Sequence, residues 1–417
     1  MTMLVNQLRR PRRSVLYASI LLLAAGCSGG NASSVVLGTG NGAAVPGASP
    51  TSQCGTVPDV AVKDPDGAVA SLPATSQLNY SGYTGTVLTS RWANWKPASG
   101  APYTIGISLS ALTNPYEGEL LSGLEQFFAE LPGVANVIPL VTTSNAIGAQ
   151  LSQFRSLVAR HVTMIVYQPL SPSAFVPAAN QAAAAGIPSI SVLNTTPDPN
   201  TVNVSLNAFL QGAEEAAAVA RAIGGKGLIL GVHGIPGVAI DTGTFVGIRA
   251  ALALCPRITL DDRLTGEFTD SGAQAAVTHY LAVHPRAKAV GVVESGPMTA
   301  GIMAAFRVAG RQMPVVGDTG AEKAGLAYWR EHEPGYKGVA IGNGAGALAF
   351  AAAEVAQRML AGDGIKVSDI PLIPVLITPA NLNQWVSPSW TSSTQGTAPG
   401  PRDSLLPASL LKAVFRK

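Results

Sequence analysis

The chain has 417 residues, enough for two or three domains, with 12% charged residues, 47% hydrophobic residues and a formal net charge of +3. Four arginines and no acidic residue precede Cys27, so removing residues 1–26 takes +3 to −1 and leaves a near-neutral body. That balance excludes a typical nucleic-acid binder, no stretch after the N-terminus is long and apolar enough to cross a membrane, and cysteines at 27, 54 and 255 make no metal framework.

Taken in chain order, the first segment reads as targeting rather than fold. Arg9, Arg10, Arg12 and Arg13 form a basic region, and "VLYASILLLAAG" is an apolar run too short to read as a membrane span. It ends in Leu23-Ala24-Ala25-Gly26-Cys27, which resembles a bacterial lipobox and implies a signal peptide over 1–26 and lipidation of Cys27. The mature chain would then be exported and anchored by lipid at the extracytoplasmic face of a membrane. Residues 27–56, rich in Gly, Ser, Ala, Asn and Thr, read as a flexible tether. A Cys54–Cys255 disulfide is permitted in an exported protein, but Cys54 falls in that tether, and the reading does not favour the bridge. Residues 57–102 read as an extended arm whose Trp92 and Trp95 pack on the first lobe.

A regular alternation begins at residue 103. Apolar runs such as "TIGISLS", "VTMIVYQ", "IPSISVL", "GLILGVH", "AVGVVES" and "KGVAIGN" are separated by helical stretches at 115–130, 146–160, 173–185, 207–223, 239–253, 270–283, 297–309, 321–331 and 344–361. Continuous apolar strands alternating with helices predict an α/β fold of parallel sheets covered on both faces, and nine repeats fit two Rossmann-like lobes better than one sheet. Residues 391–417 could be a disordered tail or, through "SLLPASLLKAVF", a docked helix.

Enzyme motifs are scarce. There is no HExxH, no G-x-S-x-G and no Walker loop, and His161, His233, His279, His284 and His332 lack ligand spacing. "GNGAGALAF" at 342–350 is half a dinucleotide fingerprint without the acidic partner that completes it, so no cofactor is expected. Neutral hydrogen-bonding groups recur instead at strand exits: Asn114 and Tyr116, Gln168, Asn194, Thr242 or Thr244, Ser295, Thr319 and Asn343. Each alone suits a cap or turn. Together they predict a polar ring at the carboxyl edges of two sheets, fit for a small polyhydroxyl ligand, since amides and hydroxyls both donate and accept. Asn114 followed by Pro115 is also a helix start, and we expect both roles of it.

The order of these motifs over about 103–386 resembles the type I periplasmic binding proteins, specifically ribose-binding-protein-like receptors of sugar ABC transporters. "IGISLSALTNPYEGELLSGLEQFFAEL" is similar to the family's opening strand, Asn-Pro-aromatic elbow and first helix, and "NQAAAAGIPSISVLN" to its lead into the fourth strand. The resemblance implies lobe one at 103–206 plus 344–371, lobe two at 207–343 plus 372–390, and crossings near Ser205–Asn207, Asn343 and Leu372. It implies a monomeric receptor, not an enzyme, that closes on a sugar-like ligand and docks on an ABC permease. Asn114 and Tyr116 match the family's sugar-binding asparagine and first stacking aromatic, and Asn343 aligns with a hinge glutamine. Gln168, Asn194, Leu193 and Thr242 or Thr244 depart from the family's asparagine, arginine and aspartate positions; Ser295 and Thr319 align with an asparagine and an aspartate. The charged sugar clamps are therefore missing unless a one-residue shift returns Glu294 and Asp318 to the pocket, and ribose itself is disfavoured. A ligand-sensing module for a membrane signalling partner, or a receptor for a less polar metabolite, are the alternative readings.

Overall fold

The computed structural model describes residues 53–416. The lipobox, Cys27 and most of the proposed tether lie outside the described residues. From residue 103 the chain alternates strand and helix: β1 Tyr103–Leu109, α2 Pro115–Ala129, β2 Val134–Val141, α3 Ile147–Ala159, β3 Met164–Tyr167, α4 Pro172–Ala184, β4 Ser189–Val192 and β5 Thr201–Leu206. A second series follows with α5 Ala208–Ala222, β6 Gly227–His233, α6 Ala239–Leu252, β7 Ile258–Thr265, α7 Asp270–Val283, β8 Ala289–Glu294, α8 Thr299–Val308, β9 Val315–Thr319, α9 Lys323–His332 and β10 Val339–Gly342. The chain then runs through α10 Ala345–Leu360, β11 Asp369–Leu372 and β12 Val375–Ile377.

These strands form two six-stranded sheets, ordered β11-β5-β4-β3-β1-β2 and β12-β10-β9-β8-β6-β7. Every pairing is parallel except β10 with β12. The central strands β3, β4 and β5 are buried along their whole length, which is why their sequences show no alternation. The edge strand β2 is half-exposed and tolerates Pro139, as an outer strand can. Helix starts follow local chemistry: Asn114 Oδ1 accepts from Glu117 N at 3.0 Å with Pro115 in the first turn, and Asn207 Oδ1 accepts from Leu210 N at 3.1 Å. The chain changes sheets three times: between β5 and α5, between β10 and α10, and between β11 and β12.

The segment before β1 differs from the expected extended arm. It is wound into short turns, among them α1 Ala74–Gln77, and buries Val69, Leu72, Tyr80, Tyr83, Val87 and Trp92 in the core of the first lobe. Trp92 Nε1 donates to the Asn200 carbonyl at 2.7 Å and Trp95 Nε1 to the Gly186 carbonyl at 3.1 Å, so both tryptophans pack on that lobe. The reading of Cys54 is corrected: it is bonded to Cys255, at the end of α6 in the second lobe, and Arg221 donates to the Gly55 carbonyl. The glycine-rich composition before Cys54 concealed this, because a cross-link between positions 201 residues apart leaves no local trace. The C-terminal segment is docked. Thr397 bridges Glu322 in lobe two, and α11 Ala408–Val414 buries Leu410, Val414 and Phe415 in the core of lobe one.

Lobe two also encloses a set of acids. Glu215, Glu294, Asp318 and Glu322 are buried, and each accepts a backbone N–H: Glu294 N at 2.8 Å, Thr319 N at 3.1 Å, Glu322 N at 2.9 Å and Ala300 N at 2.7 Å respectively. Burial holds Glu215, Glu294 and Glu322 well above the usual carboxylate range, with neighbouring acids adding to the rise. Burial pushes Asp318 to about 7 and Asp369, in lobe one, to about 6.

Two outcomes follow from these features. Cys255→Ser, or reduction of the native protein, is expected to lower unfolding stability by about 2–5 kcal/mol in urea titrations, because a very long loop is released in the unfolded chain. Equal midpoints with and without reductant would remove the disulfide's structural role. The buried acids bind their protons more tightly folded than unfolded. Their contribution is therefore complete below about pH 4 and is lost as pH rises toward 7. Asp241 is instead held low and acts in the opposite sense below about pH 4, outside this window. The urea midpoint should be higher at pH 5 than at pH 8, and Asp318→Asn should flatten the difference.

Candidate ligand cleft

A cavity of about 250 Å³ opens where the carboxyl-end loops of the two sheets face each other. Six of the eight residues expected from sequence line it together: Asn114, Tyr116, Gln168, Asn194, Ser295 and Asn343. The other two do not. Thr242 is exposed on the first turns of α6, and its neighbour Thr244 is turned inward to Gln211 Nε2 at 3.1 Å. Thr319 is the last residue of β9 and fully buried, with its backbone N–H on Glu294. Glu294 and Asp318 are also absent from the lining. They stay inside lobe two, so the one-residue shift that would return a charge to the pocket does not occur.

Lobe one supplies hydrogen-bonding groups with capacity to spare. Asn114 commits Oδ1 to the start of α2, which leaves its Nδ2 hydrogens. Asn194 Nδ2 donates to the Pro169 carbonyl at 3.0 Å, leaving Oδ1 as an acceptor. Gln168 is held through its backbone, whose N–H meets the Ser108 carbonyl at 3.2 Å and whose carbonyl accepts from Gln150 Nε2 at 2.6 Å, so its side-chain amide is left over. Glu117 is turned back onto Thr113, accepting from its N at 2.5 Å and its Oγ1 at 2.9 Å.

The floor is tied together by its own bonds, with one buried acceptor, Asn343 Oδ1, left without a partner. Tyr116 donates its hydroxyl to the Asn343 carbonyl at 3.2 Å, and burial with the nearby Glu119 charge pushes that phenol up. Asn343 Nδ2 donates to Gln211 Oε1 at 2.7 Å. Gln211 is a lining residue that sequence reasoning missed, because it sits mid-face on α5 rather than at a strand exit.

Lobe two presents Ile235, Val238, Ile240, Phe268, Pro297 and Ser295. Ser295 Oγ donates to Asp241 Oδ1 at 2.5 Å and accepts from Gly234 N at 2.7 Å. Asp241 also meets His233 Nδ1 at 2.9 Å. Burial pushes the Asp241 carboxyl up, but the bonds from His233, Ser295 and Gly234 outweigh it and hold the carboxyl below its ordinary value. The carboxylate sits between serine and imidazole, so His233 does not bond the serine hydroxyl and the serine–imidazole pair of a hydrolase is not formed.

Phe268 was also missed. It and Glu267 have φ of 55° and 57°, and Leu193, another lining residue, has 65°. Bulky side chains rarely take this left-handed conformation, which costs about 1–3 kcal/mol per residue and concentrates at ligand clamps. The Phe268 ring lies on two glycines: a Cβ on Gly234 would stand 2.0 Å from the ring, and one on Gly296 2.7 Å.

The chain matches the family model described as "Periplasmic binding protein domain" over residues 105–364, well over half its length. Among characterised proteins it is 28% identical over 247 residues to the xylitol-binding protein of Mycolicibacterium smegmatis, covering 58% of this chain and 69% of that one. It is 24% identical to the ribose import binding protein of Bacillus subtilis, covering 56% and 75%. Two solved structures share the fold. An ABC transporter solute binding protein from Bacillus halodurans with bound myo-inositol gives a TM-score of 0.61 at 20% identity, covering 69% of this chain and 98% of that one. Another, from Actinobacillus succinogenes with bound D-allose, gives 0.61 at 22%, covering 68% and 100%. With two sheets, three crossings and a cleft at the strands' carboxyl ends, the chain belongs to the periplasmic binding protein family, in its two-lobed type I form.

Proposed function

We propose that this protein is an exported, lipid-anchored receptor, monomeric and without catalytic activity, that captures a small uncharged sugar or polyol in the cleft and delivers it to an ABC permease. The observation that carries the reading is the lining. Amides with free hydrogen-bonding groups converge there from lobe one, and Ser295 and Gln211 reach it from lobe two already bonded. No lysine or arginine lines it, and of the two lining carboxylates Glu117 is turned onto Thr113 while Glu267 is exposed. Such a site offers paired donors and acceptors without a charge to satisfy, which suits hydroxyl groups and disfavours ionic solutes.

The relatives support the class, since those two are named for xylitol and ribose and the two solved structures hold myo-inositol and D-allose. Export is supported by the Cys54–Cys255 bond, which needs an oxidising compartment, and by the lipobox-like run before Cys27. The reading of a receptor without catalysis is supported by Ser295, whose hydroxyl donates to the Asp241 carboxylate and has no imidazole bonded to it. Asn114, Tyr116, Gln168, Asn194, Ser295 and Asn343 are the ligand-facing residues of this proposal; Thr242 and Thr319 have no place in it.

A thermal-shift screen of residues 28–417 against neutral sugars and polyols tests it. A ligand at a hundred times its Kd should add about 2.7 kcal/mol of stability. Asn114→Asp keeps the capping oxygen and removes the Nδ2 donor. It should leave the unliganded melting temperature nearly unchanged and weaken the ligand about tenfold or more. Binding undiminished in Asn114→Asp would remove Asn114 from the site.

A further inference from the structure

The two walls of the cleft are unlike. The spare amide capacity of the walls belongs to lobe one: Asn114 Nδ2, Asn194 Oδ1 and the Gln168 amide, with Asn343 Oδ1 unpartnered at the floor. Across from lobe one, lobe two offers Ile235, Val238, Ile240, Phe268 and Pro297, while the hydroxyl of Ser295 donates to Asp241 and the Glu267 carboxylate is exposed at the rim. The apolar wall is built at the expense of local rules. Val238 stands at the N-cap of α6 and lines the cavity with hydrocarbon; the lack of a side-chain cap there is shared with α3, α4, α8 and α9 and is not itself a signal. Phe268 is held in the left-handed region beside Glu267, with its ring against Gly234 and Gly296. Neither Val238 nor Phe268 belongs to the buried core clusters of lobe two, and both place hydrocarbon in the cavity. Where sequence breaks local preference without a structural return, a binding role is the physical explanation.

We infer that the ligand is an amphipathic polyol: a small ring or chain whose hydroxyls meet Asn114, Gln168 and Asn194, and whose opposite edge carries hydrogen or alkyl in place of hydroxyl, lying against Phe268, Ile240 and Ile235. This rests on the polyol reading of the cleft. A fully hydroxylated sugar would press one or more hydroxyls against the Phe268, Ile240 and Ile235 side chains, which have no partner for them, and a buried hydroxyl left unpaired weakens binding by about tenfold or more. A deoxy or O-methyl edge instead gains contact with the same wall.

The test is calorimetric titration with matched pairs: D-galactose and 6-deoxy-D-galactose, L-mannose and 6-deoxy-L-mannose, D-glucose and methyl β-D-glucoside, and myo-inositol and its mono-O-methyl ethers. In the pairs that bind, the deoxy or methylated member is expected to bind at least about tenfold tighter. Phe268→Asn, which suits a left-handed backbone, should bring that ratio close to one, whereas Asn114→Asp should weaken both members and preserve it. Ile235→Asn, on a half-exposed rim position, repeats the test should Phe268→Asn fail to fold. Parents that bind as tightly as their deoxy or methyl partners would overturn the inference and leave the polyol reading standing. A ratio that survives in both wall variants would likewise overturn it. No binding by any compound would overturn the polyol reading and the inference together.

Discussion

The cleft depends on one junction, Asn343. It lies at the second crossing, between β10 and α10, and its carbonyl accepts the Tyr116 hydroxyl from α2 of lobe one. Its side-chain amide donates to Gln211 on α5 of lobe two, which in turn donates to Thr244 on α6. Both lobes and the crossing therefore meet in one chain of buried polar groups. A partner removed from such a chain leaves the next atom unpaired, at a cost of about 1–3 kcal/mol, so the groups constrain one another. The floor is therefore largely occupied with holding the lobes in register, with Asn343 Oδ1 its one unpartnered acceptor, and the remaining free amide groups, on Asn114, Gln168 and Asn194, stand on the wall of lobe one.

The segments outside the two lobes are not inert additions to this hinge. The N-terminal arm buries Tyr80 and Tyr83 in lobe one, places its carbonyls at Asn79 and Ser81 on Asn207 Nδ2 at the first crossing, and is bonded through Cys54 to lobe two. The C-terminal segment runs the other way, from the Glu322–Thr397 bridge in lobe two to Phe415 in lobe one. Glu119 on α2 accepts from both Lys323 Nζ at 3.2 Å and Thr397 Oγ1 at 2.7 Å, so a partly buried charge also crosses between lobes. Separating the lobes must break the Glu119 bonds.

Much of this was legible in the sequence, for reasons that differ by element. The helices were readable because Asn114-Pro115 and similar starts act locally, and because apolar runs bounded by such caps report strands buried on both faces. The ring of polar strand exits was readable because parallel sheets aim all their carboxyl-end loops one way. What failed was whatever depends on distant parts of the chain. Thr319 lies one position from Asp318 and four from Val315, and a strand's alternation carries no label for which phase faces the cleft. Phe268 reads as an ordinary loop aromatic, since its place depends on two left-handed residues and on Gly234 and Gly296 lying beneath it. Cys54 looked like part of a tether because its partner is 201 residues away.

The distribution of strain argues that the cleft, rather than the fold, explains these exceptions. Five non-glycine residues among those described have φ in the left-handed region, and three of them, Leu193, Glu267 and Phe268, line one cavity. The helix that borders the same cavity in lobe two begins with an uncapped valine. Asn207 and Thr269 cap α5 and α7 with side-chain bonds, but Ala146, Ser171, Met298 and Glu322 leave α3, α4, α8 and α9 without one, so it is the left-handed residues and not the bare N-cap that single out the cleft. A fold with a disulfide, two crossing segments and two buried cores can sustain a few kcal/mol of local conflict. It does so where hydrocarbon is brought to face amides across a gap, and that contrast between walls is what a ligand entering the cleft would meet first.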